Sequence, residues 1–260
     1  MKVSENTVPV PSALPQPEWP ASNRPVAPWW HTVLIAAIII GVSVFSGMHA
    51  KALETIRSSH IHRYLVTIVW EWVLALLTLW GIHIRRTPLR QIFGVRRNGL
   101  REFAVDFGIA LVFWVVAIVI LGALAALLRL VHLAHAQKVV VAIAPQTLPQ
   151  IIVWLLLCAT AGIVEEFVFR GYLLQQFSSL GTSLSLRGKL IIGIVASSLL
   201  FGSAHGYEGI GGMIVITAYG ALFCILAIYR RSLRAGMIAH AWHDSIAGIA
   251  IAVLKHMRVF

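Results

Sequence analysis

Along most of the chain, apolar residues come in long blocks rather than in alternation. Residues 151–164, "IIVWLLLCATAGIV", are typical: no charge and no two-residue period. Blocks of this kind recur at about 30–49, 64–84, 103–128, 149–177, 189–205, 209–229 and 234–254, each near the roughly 20 residues needed to cross a bilayer as a helix. The pattern predicts an all-α, polytopic membrane bundle of about seven transmembrane helices. Residues 1–28, "MKVSENTVPVPSALPQPEWPASNRPVAP", lack an apolar core and are rich in Pro. They read as a disordered, cytoplasmic, Pro-rich tail and not as a signal peptide.

Composition sharpens this picture. Of 260 residues, 58% are hydrophobic and 12% charged, with a mean hydropathy of +0.83, against about a quarter charged in soluble domains. The net charge of +11 does not point to nucleic acid, because the Lys and Arg residues lie mainly between the apolar blocks, as membrane topology requires. Seven spans put thirteen basic residues on the side of the tail, among them Arg85, Arg86, Arg90, Arg187, Lys189, Arg230, Arg231 and Arg234. Seven fall on the other side, including Lys51, Arg63, Arg129, Lys138 and Lys255. Basic loops stay in the cytoplasm, so the N-terminus is expected inside. Cys158 and Cys224 both sit within apolar runs and read as small buried hydrophobes, with no disulfide framework.

Ionisable residues inside the spans change the question from topology to chemistry, because such groups are costly in lipid and need partners. The fourth span continues as "GIVEEFVFRGYLL". On a helix, Glu166 and Arg170 lie about 40° apart, in the order that favours an ion pair. Glu165 points about 100° away, without such a partner and beside Ala161 and Gly162, small residues that admit a neighbouring helix. The fifth span ends in His205, with Ser198 and Gly202 giving it a thin face. In the seventh, "HAWHD" puts His240, His243 and Asp244 in an arc of about 100°, with Trp242 opposite and facing lipid. Glu71 and Asp106 are single acids to which no chemistry is assigned; Asp106 suits the helix dipole near a helix start. His49, His60, His62, His83, His132 and His135 fall near loop ends and read as interfacial.

Three segments together resemble a known family. "EEFVFRG" resembles the EExxxR motif of the CPBP intramembrane proteases, also called the CAAX-protease or Abi family. "FGSAH", Phe201 to His205, is similar to its FxxxH motif, and "HAWHD", His240 to Asp244, to its HxxxN or HxxxD motif. The resemblance covers about residues 149–250. It divides the chain into the tail (1–28), N-terminal transmembrane helices (29–148) and CPBP-like catalytic helices (149–260).

It also implies an enclosed active site in an all-α bundle and an endopeptidase, for some members acting on prenylated CAAX proteins. Glu165 then corresponds to the general base for water and His205 to a residue holding that water. His240 and Asp244 correspond to the oxyanion pair, and Glu166 with Arg170 to the supporting ion pair. His243 is a secondary candidate. An Asn in place of Asp244 would donate to the oxyanion directly, whereas Asp244 donates only when it carries a proton. The partners implied are the bilayer and a peptide or protein substrate entering from it.

Other readings of the same residues are a zinc protease with Glu165, His205 and His240 as ligands, a non-enzymatic immunity or scaffold protein, a proton-coupled transporter and haem binding by His205 and His240. The zinc reading lacks an HExxH spacing, and the transporter reading lacks paired interrupted helices. The metal-free glutamate mechanism, with no cofactor, is the expectation.

Overall fold

The computed structural model describes residues 19–20, 24–49, 60–94, 99–133, 138–181 and 183–257. Among these, seven helices are long and apolar enough to cross a membrane, and extended pairing is limited to one isolated bridge, Gly94 with Ser232. The helices are α1 (Trp29–Met48), α2 (His60–Ile84), α3 (Leu100–Leu130), α4 (Leu148–Ser178), α5 (Leu186–Ser203), α6 (Gly209–Arg230) and α7 (Arg234–His256). Their ends lie within four residues of the expected ones. Short helices at Leu89–Phe93 and Lys138–Ile143 lie between the long ones.

Local chemistry sets several of these ends. Pro149 occupies the first turn of α4, where its missing N–H costs nothing. Ser185 caps α5 by accepting from the Gly188 N–H. The Gly94 carbonyl edge meets Ser232, and a Cβ at Gly94 would collide with the Arg231 carbonyl. With φ at +82° as well, the position requires glycine.

The helix packing centres on α4, which packs against α2 on one flank and α7 on another, while α5 pairs with α6. At Gly162 an added Cβ would lie 2.8 Å from the Met237 carbonyl and 2.9 Å from the Ala241 N–H. This is the close approach foreseen from the small residues before Glu165. At Gly202 an added Cβ would strike Thr217 of α6, so the thin face of α5 serves the α5–α6 contact.

Several expectations need correction. Most of the proposed tail lies outside the described residues, but its last part is not disordered. Val26 and Ala27 are buried, and the Gln176 amide clamps them: both backbone N–H groups donate to Oε1 (2.8 and 3.1 Å), and Nε2 donates to the Ala27 carbonyl. Asp106 is not a dipole ornament. It is fully buried and ion-paired with Arg230 and Arg234, with Arg230 Nε donating at 2.8 Å. Trp242 does not simply face lipid, because it packs edge-on against Phe107 of α3 at 4.5 Å between centroids. Among the histidines read as interfacial, His60 is partly buried against Tyr64, and His135 lies outside the described residues.

Candidate active site

The fourth span changes its winding at the glutamate pair. It is α-helical through Glu165, π-helical over Glu166–Leu173 and α-helical again to Ser178. Such π segments cluster at functional sites. Every residue of this one is buried. Arg170 lies among aromatic rings, its guanidinium carbon 4.2 Å from the Phe201 centroid and 4.9 Å from that of Phe223. One of its N–H groups donates to the Gly220 carbonyl at 3.3 Å.

Glu166 and Arg170 form the expected ion pair, at 3.0 Å, with both side chains fully buried. Glu166 also has a second partner that the sequence did not reveal. The same Oε1 accepts from His240 Nδ1 at 3.0 Å. On the far side of that imidazole, Nε2 lies 3.5 Å from Glu165 Oε2 and 3.7 Å from Asp244 Oδ2. His240 thus stands between the two adjacent glutamates, one facing each nitrogen. The two acids, 100° apart on an ideal helix, reach opposite sides of one ring because α7 passes directly over Gly162.

Glu165, His205, His240, His243 and Asp244 all line one cavity of about 920 Å³. Glu166 and Arg170 lie outside it, beneath its floor. Glu165 Oε2 is buried and makes no hydrogen bond, with His240 Nε2 the nearest charged or chargeable nitrogen at 3.5 Å. His205 sits in the turn between α5 and α6. Its Nδ1 donates to the Phe201 carbonyl at 3.0 Å, which leaves Nε2 as its other functional nitrogen. That turn is held from α1, where Ser43 Oγ donates to the Ser203 carbonyl and accepts from the Gly206 N–H. Asp244 is about one-third exposed and its backbone carbonyl accepts from Trp154 Nε1 at 3.2 Å. His243 packs against the Tyr219 ring at 4.8 Å.

Sequence reasoning missed several lining residues. Glu71 is buried, lines the cavity and is within side-chain hydrogen-bonding reach of Glu165. A buried acid between Trp70 and Trp72 in a membrane span was the available signal, but nothing in the sequence identified Glu165 as its neighbour. Tyr207 and Glu208 line the same space; as part of a short turn they carry no motif. Among the described residues, no three His, Cys, Asp or Glu side chains are grouped as a metal site would need.

No curated protein and no solved structure matches this chain. The family described as "Type II CAAX prenyl endopeptidase Rce1-like" matches residues 145–246, a stretch that contains all three motifs and every residue of the His240 cluster. Over these residues, about two fifths of the chain, the sequence is similar to the Rce1-like CAAX endopeptidases, the family that the three motifs resemble.

Proposed function

We propose that this protein is an intramembrane endopeptidase that hydrolyses a peptide bond with a water activated by Glu165, without a metal. The observation that carries the reading is the His240 bridge: one imidazole, fixed from below by Glu166 and Arg170, presents its other nitrogen to Glu165 and Asp244 on the cavity floor. The family match supplies the reaction class.

The chemistry follows from the positions. Glu165 takes a proton from water as the water oxygen attacks the scissile carbonyl carbon. The carbonyl oxygen gains the negative charge, and a donor on His240 Nε2 or Asp244 stabilises it. His205 holds the water through its uncommitted nitrogen. Collapse of the tetrahedral species breaks the C–N bond, and the proton held by Glu165 passes to the leaving nitrogen. The products are a carboxylate and an amine. For Nε2 to donate while Nδ1 donates to Glu166, the His240 ring must carry both protons. Glu166 and Arg170 act indirectly, by fixing that ring.

The test is cleavage of candidate membrane peptides, including a prenylated CAAX peptide, by purified wild type and Glu165→Gln in one detergent. The expected result is cleavage by wild type and none by a folded Glu165→Gln protein. Substantial residual proteolysis in the variant would sink the general-base role.

A further inference from the structure

We infer that a recess at the end of the bundle where α1 begins and α2 ends binds a phosphate group, and that this phosphate belongs to the headgroup of an anionic phospholipid. None of the residues that form the recess lines the cavity around Glu165, so the site is independent of the protease reading.

The recess, of about 500 Å³, brings Arg24, Arg85 and Arg86 together with Gln91, between Pro25 and Pro88. Among the described residues, no acidic side chain lines it. Neutral hydrogen bonds fix its walls. Thr87 Oγ1 donates to the Val26 carbonyl at 2.8 Å, which ties the chain before α1 to the chain after α2. Trp19 Nε1 and Gln175 Nε2 both donate to the Gln91 carbonyl, at 2.7 and 2.9 Å, and Gln176 holds Val26 and Ala27 from α4. The recess is therefore a formed cleft, with the exposed Arg85 and Arg86 adjacent on one wall. Guanidinium groups present paired donors that match phosphate oxygens, and the Gln91 amide can add a neutral donor.

Arg86 is also an unusual choice for its backbone. α2 ends in a Schellman cap: the Arg86 N–H donates to the His83 carbonyl at 2.9 Å and the Thr87 N–H to the Ile82 carbonyl at 3.1 Å. Arg86 has a φ of +55°, in the slot that glycine usually fills because it has no Cβ to clash. A cation near a helix C-terminus is favourable in itself, but Arg85 already supplies one. The second arginine, in a glycine slot, adds charge to the recess.

The level of the recess selects the source of the phosphate. Trp30 of α1 and Trp80 of α2, 54% and 48% exposed, pack edge to face with centroids 5.6 Å apart. Exposed Trp rings on membrane helices are enriched at the headgroup level. Trp80 stands five residues before Arg85, about 7.5 Å along the helix axis. Further in, the same two helices expose Val33 and Leu76, apolar surface that suits acyl chains. Charge at the rim, aromatic rings at the interface and an apolar flank beneath match the three zones of an anionic lipid, and basic pockets between spans suit such headgroups.

The experiment reads binding without requiring hydrolysis. The melting temperature of the full-length protein in a neutral detergent is followed during titration with dioctanoyl phosphatidylglycerol, dioctanoyl phosphatidylcholine or inorganic phosphate. For wild type, the expected result is a saturable rise of at least about 3 °C with the anionic lipid, and a clearly smaller one with the zwitterionic lipid. Arg86→Gly should melt within about 2 °C of wild type without lipid, because glycine suits the cap, yet lose most of the lipid-induced rise. Arg85→Gln should lose it as well, and serves alone should Arg86→Gly fail to fold. Arg101→Gln, an exposed arginine outside the recess, should keep it. A rise that survives both recess variants, or that Arg101→Gln removes equally, overturns the site. So does the absence of any rise in wild type with either lipid or phosphate. A rise with inorganic phosphate alone, dependent on Arg85 and Arg86, keeps the phosphate site and overturns the lipid as its source. Cleavage assays play no part in these readings, so failure of the Glu165 assignment leaves them untouched.

Discussion

Glu166 Oε1 lies 3.0 Å from His240 Nδ1, and the same oxygen lies 3.0 Å from Arg170. One buried carboxylate therefore does two things: it neutralises a guanidinium that has no access to water, and it sets the direction of an imidazole whose other face meets Glu165. Removing one partner of a buried ion pair leaves the other charge uncompensated. Glu166→Ala should lose about 3–5 kcal/mol of stability, seen as a lower melting temperature in detergent, and Arg170→Ala should behave alike. A variant melting at the wild-type temperature would contradict the pairing.

Asp244 faces His240 Nε2 at 3.7 Å and is about one-third exposed. If it donates to the oxyanion, an Asn of the same shape does the same work. Asp244→Asn is expected to keep activity within about tenfold, whereas Asp244→Ala should lose about 100- to 1,000-fold, the usual effect of deleting one oxyanion donor. Steady-state kinetics of both variants decide. An inactive but folded Asn protein would assign Asp244 to accepting from His240 instead.

Glu71 reaches Glu165 across the cavity wall. A hydrogen bond between two carboxyl groups needs one proton between them, so a neutral amide at position 71 can replace the donor. Glu71→Gln should retain most activity. Glu71→Leu, similar in bulk but without a donor, should lower kcat at least about tenfold with a smaller change in KM, because it loosens the base without touching the rest of the cavity. Equal loss in both variants would remove Glu71 from the positioning of Glu165.

Gly162 tests the helix crossing. Its missing Cβ lets α7 approach to within contact of the α4 backbone. Gly162→Ala pushes Met237 and Ala241 outward and carries His240 away from both glutamates. A misplacement of about 1 Å at a reacting centre can cost about 100-fold, so a loss of at least about tenfold in kcat/KM is expected, with only a modest drop in melting temperature. Wild-type kinetics in Gly162→Ala would show that the crossing has slack.

Metal dependence has its own test. Dialysis against a strong chelator should leave cleavage unchanged. Loss of activity that returns with added zinc would favour Glu165, His205 and His240 as ligands over the metal-free route.

Much of this architecture is legible from the sequence, and the exceptions share a cause. The spans can be read because each block stays predominantly apolar over about 20 residues and the breaks carry most of the charge. The Glu166–Arg170 pair can be read because both partners are on one helix, four residues apart. By contrast, the Glu166–His240 bond and the Glu71–Glu165 contact join residues 74 and 94 positions apart, and no periodicity reports on which helices cross. The role of Asp106 is hidden for the same reason, since its partners, Arg230 and Arg234, stand at span ends in the sequence but reach back into the bundle. The π winding over Glu166–Leu173 leaves no trace in the pattern, because every side of that segment is buried and apolar residues surround it.

The walls of the cavity bear on what a protease here could cut. They are built from helices, and Glu165 lies on them rather than at a free surface. In an α-helix each backbone carbonyl is already bonded to the N–H four residues on. A segment offered to Glu165 must give up those bonds locally before its carbonyl can be attacked, so a candidate chain would be sorted first by how readily it unwinds at the cut, and only then by its side chains.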